Sequence, residues 1–281
     1  MSLPCIIIMV VGIVVALVGM SKQKKGSAIG QPMAIIGAIL AIGSALWNAT
    51  SSFGGDNAAM DRERNFVRIE HKMLGKELAR QIPGAKKVAV YVDSYNHFDG
   101  WGEELDTPRE NLGLEGLKEG LGSGVEVVEV YVTPKKYPKP EPQKAPNGEL
   151  IEPMPPMMDM PMFSPEQLKS CISKAKDADV VVLLGALPPV ENSAAMVLRA
   201  LKGMKVAAVN NIGAEESKVL FENGGKDIAD LLCLVTTKRS AVYDDNKAPS
   251  NEQKAFDLRY ILINKDNYKT AIPAALKAAA K

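Results

Sequence analysis

The chain has 281 residues, 46% of them hydrophobic, with 34 Lys and Arg against 33 Asp and Glu and a formal net charge of +1. That length allows one or two domains with a sizeable core, and a charged fraction of 24% is too low for a disordered polyampholyte. Near-neutrality excludes an electrostatic nucleic-acid binder, and three cysteines exclude a disulfide scaffold.

The apolar content is front-loaded. Leu3 to Met20 reads LPCIIIMVVGIVVALVGM without a charge. As a helix it would span about 27 Å, near the hydrocarbon thickness of a bilayer. A second run, Ile29 to Trp47, tolerates Pro32 in its first turn and ends on Trp47 as an interfacial anchor would. Together they predict a transmembrane hairpin within residues 1–50, with spans at about 3–20 and 29–47. A signal peptide fits less well, because a basic start and a small-residue cleavage site before Ser21 are missing. Small residues at four-residue spacing (Gly12 and Ala16; Gly37, Ala41 and Ala45) predict close helix packing and contacts between protomers. Lys22, Lys24 and Lys25 in the linker SKQKKGS place it in the cytoplasm. A two-pass, lipid-embedded protein with an extracytoplasmic C-terminal domain is therefore expected. Arg62, Arg64 and Arg68, and the lone thiols of Cys171 and Cys233, weigh against that orientation.

Residues 51–84 form a linker and an amphipathic helix. Asp56 caps a helix to about Gln81, with Phe66, Ile69, Met73, Leu74 and Leu78 on one face. It either packs on the following domain or extends as a stalk. Within 85–281, Lys87–Val92 reads as a strand. A helix over about Arg109–Leu121 is weakened by Gly113, Gly116 and Gly120, and Val125–Val132 is the next strand. Ser164, Pro165 and Gln167 make a helix start with capping residue, N1 proline and capping-box glutamine, running to Lys176. Asp179–Leu184 is a continuous apolar run, typical of a strand covered on both faces. Asn192 caps a helix ending at Gly203, and Lys205–Val209 follows as a strand. A helix over about Glu215–Asn223, strands at Leu231–Thr236 and Arg259–Ile263, and an Ala-rich closing helix complete the pattern. Such alternation predicts an α/β, three-layer Rossmann-like domain with a mostly parallel sheet of five or six strands.

The segments DADVVVLLGALP (Asp177–Pro188) and KVAAVNN (Lys205–Asn211) resemble strands and ligand-facing loops of periplasmic sugar-binding-type proteins, the likeness covering one lobe over about Lys87–Ile263. The resemblance implies a small-molecule site at the carboxyl ends of the strands, where open α/β sheets bind ligands. Such proteins close two lobes on a ligand, and one lobe fits in this length. Asp93, Asn96, His97, Gly185, Asn210 and Asn211 are the residues that rim would offer, with turn formation as the alternative role of each.

The loop Asp93–Asp106 (DSYNHFDGWGEELD) stands where an active site would. Its carboxylates would repel a phosphate, and no glycine-rich phosphate motif occurs. A Mg²⁺ or Ca²⁺ there competes with a solvated acidic loop. His71 and His97 are the two histidines, too few for a zinc cluster with these cysteines. His97 with Asp93 is the acid–base pairing worth testing. No catalytic residue, metal or cofactor is predicted, and the chain is expected not to be an enzyme.

Thr133–Phe163 holds nine of the 18 prolines and five of the 13 methionines. Proline at this density favours extended backbone and disfavours sheet. Met154, Met157, Met158, Met160, Met162 and Phe163 would dock against another subunit, cover the chain's own sheet, or bind Cu(I) through thioethers. The expected function is a membrane-anchored structural or interaction protein, assembling with itself or a partner membrane protein. The alternative is a sugar-like small-molecule binding or sensory module.

Overall fold

The computed structural model describes residues 11, 13–18, 20–22, 35, 59–144, 150–151, 153, 164–175, 177–187, 193–222, 227–243 and 249–278. The chain divides into two compact units, Met1–Glu63 and Arg64–Lys281.

In the first unit, the described residues before position 59 are helical and largely exposed. Among the described residues, no helix is long and apolar enough to cross a membrane. That finding overturns the transmembrane hairpin, the two-pass location and the membrane-bound form of the expected assembly. An uncharged run reports only what its side chains prefer, whereas a span needs about 20 apolar residues in one unbroken helix. The remainder of both runs, with Gly12, Gly37, Ala41 and Ala45, lies outside the described residues.

The second unit is layered. Helix α1 (59–81) leads into β1 (Lys87–Tyr91), and a loop with a short 3-10 turn (Ser94–Asn96) leads to α2 (Leu112–Leu121) and β2 (Glu126–Val130). The proline-rich stretch carries a small antiparallel hairpin, β3 (Gln143–Lys144) with β4 (Leu150–Ile151). Then come α3 (Pro165–Ser173), β5 (Val180–Leu183), α4 (Ser193–Ala200), β6 (Lys205–Val209), α5 (Ala214–Glu222), β7 (Asp230–Thr237), α6 (Glu252–Arg259), β8 (Tyr260–Asn264) and α7 (Tyr268–Leu276).

The six main strands form one sheet in the order β2-β1-β5-β6-β7-β8. The first five run parallel, in register from Val88 beside Val127 and Val180 onward. The last reverses direction, pairing Tyr260 with Thr237 and Asn264 with Cys233. Reversal follows from the short α6 connection, which returns the chain to the sheet at the end where β7 finished.

Alternation along the strands divides the core. Val88 and Val90 of β1 and Val180 and Val182 of β5 pack under α1, α2 and α6. Ala89, Tyr91, Val181 and Leu183 face α3, α4, α5 and α7. The expected capping box is present, with Ser164 Oγ accepting from Gln167 N–H and Gln167 Oε1 accepting from Ser164 N–H at 2.8 Å.

Helix α1 packs on the sheet through Phe66, Ile69, Leu74 and Leu78. Glycine sets how close it comes. A Cβ at Gly75 would lie 2.9 Å from Gly120 Cα, one at Gly120 2.8 Å from Lys76 N, and one at Gly116 would collide with Arg68 O. The glycines that weaken α2 as an isolated helix are thus the surface on which the two backbones touch. Ion pairs flank the contact, Lys76 with Glu252 at 3.0 Å, Lys72 with Glu119 at 3.4 Å, and Arg68 with Glu119.

Candidate functional site at the carboxyl rim

The strand order changes direction between β1 and β5, since β1 is followed along the chain by β2 on one side and later by β5 on the other. Loops leaving the two strands therefore part, and such a switch point is where open α/β sheets place ligands. Asp93, two residues beyond β1, is half-buried, and its Oδ1 accepts from Ala186 N–H at 2.7 Å. Burial raises its carboxyl above the usual range, opposed by that bond. Gly185 has no room for a side chain, because a Cβ would lie 2.9 Å from both Asp93 N and Val92 C. Tyr91 hydroxyl donates to Ala186 O at 3.4 Å.

Asn96, in the 3-10 turn, is 4% exposed. Its backbone N–H donates to Asp93 O at 3.1 Å and its carbonyl accepts from Arg109 N–H at 2.7 Å, but its side-chain Oδ1 has no partner. Tyr95 between them presents a half-exposed ring, and its phenol is raised by partial burial and then by the charge of Asp93. His97 points to a different element. Its ring stacks on Tyr131 at 4.0 Å, and Nε2 lies 3.2 Å from Glu129 Oε2 without hydrogen-bond alignment. Asp93 and His97 are thus engaged by β5 and β2 respectively, and the acid–base pair is not assembled. In the rest of the acidic loop, Asp99 Oδ1 accepts from the N–H groups of Trp101 and Glu103, both at 2.9 Å. Among the described residues, no group of three or more His, Cys, Asp or Glu could hold a metal ion.

The loop after β6 closes the other side. Asn211 Nδ2 donates to Leu183 O at 3.0 Å and to Gly185 O at 2.8 Å, tying β6 to β5. Asn210 adopts a left-handed backbone, φ 50°. Its Oδ1 accepts from Thr237 N–H at 2.9 Å, and its Nδ2 donates to Glu70 Oε1 at 2.6 Å. Of the six rim residues read from sequence, Asp93, Gly185, Asn210 and Asn211 therefore serve a linked set of contacts. Asn96 retains a free acceptor, and His97 sits apart. The methionine arm, Met154, Met157, Met158, Met160, Met162 and Phe163, lies outside the described residues.

Sequence reasoning missed Glu70, Tyr260 and Arg259. Glu70 is 4% exposed and burial pushes its carboxyl up to about 8, against the bond from Asn210. Arg259 is buried beneath Phe66, its guanidinium 3.6 Å from the ring centre and 4.5 Å from that of Tyr243, with Nε donating to Val242 O at 3.0 Å. One signal was legible: Glu70 stands four residues from Phe66 and from Leu74, inside the apolar stripe of α1.

No family model matches this chain, and no curated protein matches it. Among solved structures, an extracellular ligand-binding receptor from Verminephrobacter eiseniae ef01-2 is similar to it at a TM-score of 0.34 and 12% identity. The match covers 76% of this chain and 45% of the receptor, so the chain spans less than half the receptor's length.

Proposed function

We propose that the α/β unit is a small-molecule binding module whose ligand docks at the carboxyl ends of β1 and β5. The observation that carries this reading is the half-buried Asp93 carboxylate at the switch point, beside the half-exposed Tyr95 ring. A half-buried carboxylate there calls for a ligand rich in O–H or N–H donors. The half-exposed Tyr95 ring beside Asp93 offers the flat apolar face that sugars and similar polyols use. Binding without turnover is the reading, because Asp93 and His97 are held by different strands.

The test is titration calorimetry on the full chain with a panel of monosaccharides, oligosaccharides, polyols and nucleosides, repeated on Asp93→Asn. Asparagine keeps the acceptor for Ala186 N–H and removes the charge. A charged hydrogen bond contributes about 1.5–3 kcal/mol, so the variant should bind a hit at least about tenfold more weakly. A panel without any binder, or a hit that Asp93→Asn binds as tightly, overturns the reading.

A further inference from the structure

Between Phe66 and Leu78 of α1, Glu70 is the fully buried acid, at 4% exposure, whereas Glu77 is only partly buried and paired with Arg80. The Glu70 carboxyl accepts a hydrogen bond from Asn210 Nδ2 at 2.6 Å. His71 Nδ1 lies 4.0 Å from Glu70 Oε2, yet it is bonded to Val67 O at 2.7 Å, and burial holds the imidazole below its usual range. It is neutral at pH 7 and brings no charge. From β8 the Tyr260 phenol faces the carboxyl, raised by burial and then by the charge of Glu70. Arg259, at the end of α6, is stacked on Phe66 and bonded to Val242 O. An ionised Glu70 would therefore sit at 4% exposure without a close cation, and hydration would require the rim to open.

The contacts of Asn210 show what would open. This residue links α1 to the end of β7 through Thr237, and its neighbour Asn211 holds the carbonyls of Leu183 and Gly185 beside Ala186, the partner of Asp93.

We propose that Glu70 is a proton-operated latch: as the neutral acid bonded to Asn210 it keeps the Phe66–Glu70 turn of α1 seated on the ends of β6 and β7, and loss of its proton loosens that rim. The latch stands whether or not a ligand binds at Asp93. With a carboxyl held at about 8 in the closed rim and near 4.5 once hydrated, opening grows about tenfold for each pH unit between those values and levels off above about pH 8.

Hydrogen exchange on the full chain between pH 6 and 9.5, corrected for intrinsic rates, tests this. Peptides covering 66–73 and 206–213 should lose protection about tenfold from pH 6 to pH 7 and level off above about pH 8, while α7 does not change. In Glu70→Gln, which keeps an acceptor for Asn210, the rim peptides should be flat with pH. Carboxyl ¹³C NMR of the wild type supplies a readout that needs no variant, with a Glu70 midpoint near 8. A midpoint at 4 to 5, a rim unchanged to pH 9.5, or a Glu70→Gln profile identical to wild type overturns the latch.

Discussion

Replacing Gly116 by alanine separates two opposite accounts of the same residue. If the glycines of α2 merely weaken a helix, alanine at an interior position stabilises it by up to about 1 kcal/mol. The structure predicts the reverse sign. The new Cβ would collide with Arg68 O on α1, a backbone atom that cannot rotate away, so the two helices must separate. Forcing a methyl group into a packed contact costs about 1–3 kcal/mol, and the propensity gain offsets only part of it. A net loss of roughly 1–2 kcal/mol corresponds to a fall of about 2–8 °C in melting temperature for a unit of this size. Urea unfolding followed by circular dichroism, with Gly124→Ala as control, measures it. Gly124 has open space at its Cβ and should stay within about 0.5 kcal/mol of wild type. A Gly116→Ala protein as stable as wild type or more so would refute the close-contact account.

Stability should also carry the signature of Glu70. Its native carboxyl holds a proton up to about 8 whereas the unfolded one releases it near 4.5, so between those values the native state binds more protons. Folding free energy therefore falls as pH rises through that window, by about 1.4 kcal/mol per unit and on the order of 4–5 kcal/mol in all. The difference between wild type and Glu70→Gln in urea titrations from pH 5 to 9 isolates this slope, and a constant difference would contradict it. Burial pushes the Cys171 thiol up to about 11 and raises that of Cys233 as well. Native alkylation of both at pH 8 should run at least about a hundredfold slower than in denaturant, as peptide mass spectrometry would show. Fast native labelling of Cys233 would mean that β7 is not in the core.

The strands were legible because most parallel strands are short apolar runs closed by a turn. Lys205–Val209 agrees to the residue, and β1, β5, β6 and β7 are apolar segments buried on both faces, while β2 is a partly exposed edge strand whose valines alternate with glutamates. Helix α6 was not legible, because EQKAFDLR turns only Ala255, Phe256 and Arg259 inward. A stripe so short carries little periodicity, and tertiary contacts with Phe66 and Tyr260 hold it. The β3–β4 hairpin is two residues a side within a proline-rich stretch, below any sequence signal. The hairpin predicted for the first 50 residues failed for a different reason: hydropathy records solvent preference and not helix length. At the rim, the rule that ligands dock at strand-end loops points to Asp93, Asn96, Asn210 and Asn211 alike. Strand packing decides which of them are spent on neighbours, as Asn210 is on Glu70 and Thr237 and Asn211 on the carbonyls of Leu183 and Gly185.

The two ends of α1 differ in what holds them, and this confines the latch to the rim. At the far end Leu78 and Ile82 sit over Val88 and Val180, at the starts of β1 and β5. Leu74 and Leu78 are almost fully buried there, each contributing about 1.5–3 kcal/mol, and Gly75 rests against α2. Asn264 Nδ2 also donates to Glu77 Oε1 at 2.8 Å, on a carboxyl held below its usual range first by Arg80, so this bond persists as pH rises. At the rim end, Phe66 and Ile69 supply the apolar contact and Asn210 the single bond to Glu70. Ionising Glu70 is therefore expected to loosen the side of α1 that faces Asn210, while Arg68 against Gly116 and Glu119, and Gly75 against α2, hold the helix on the sheet.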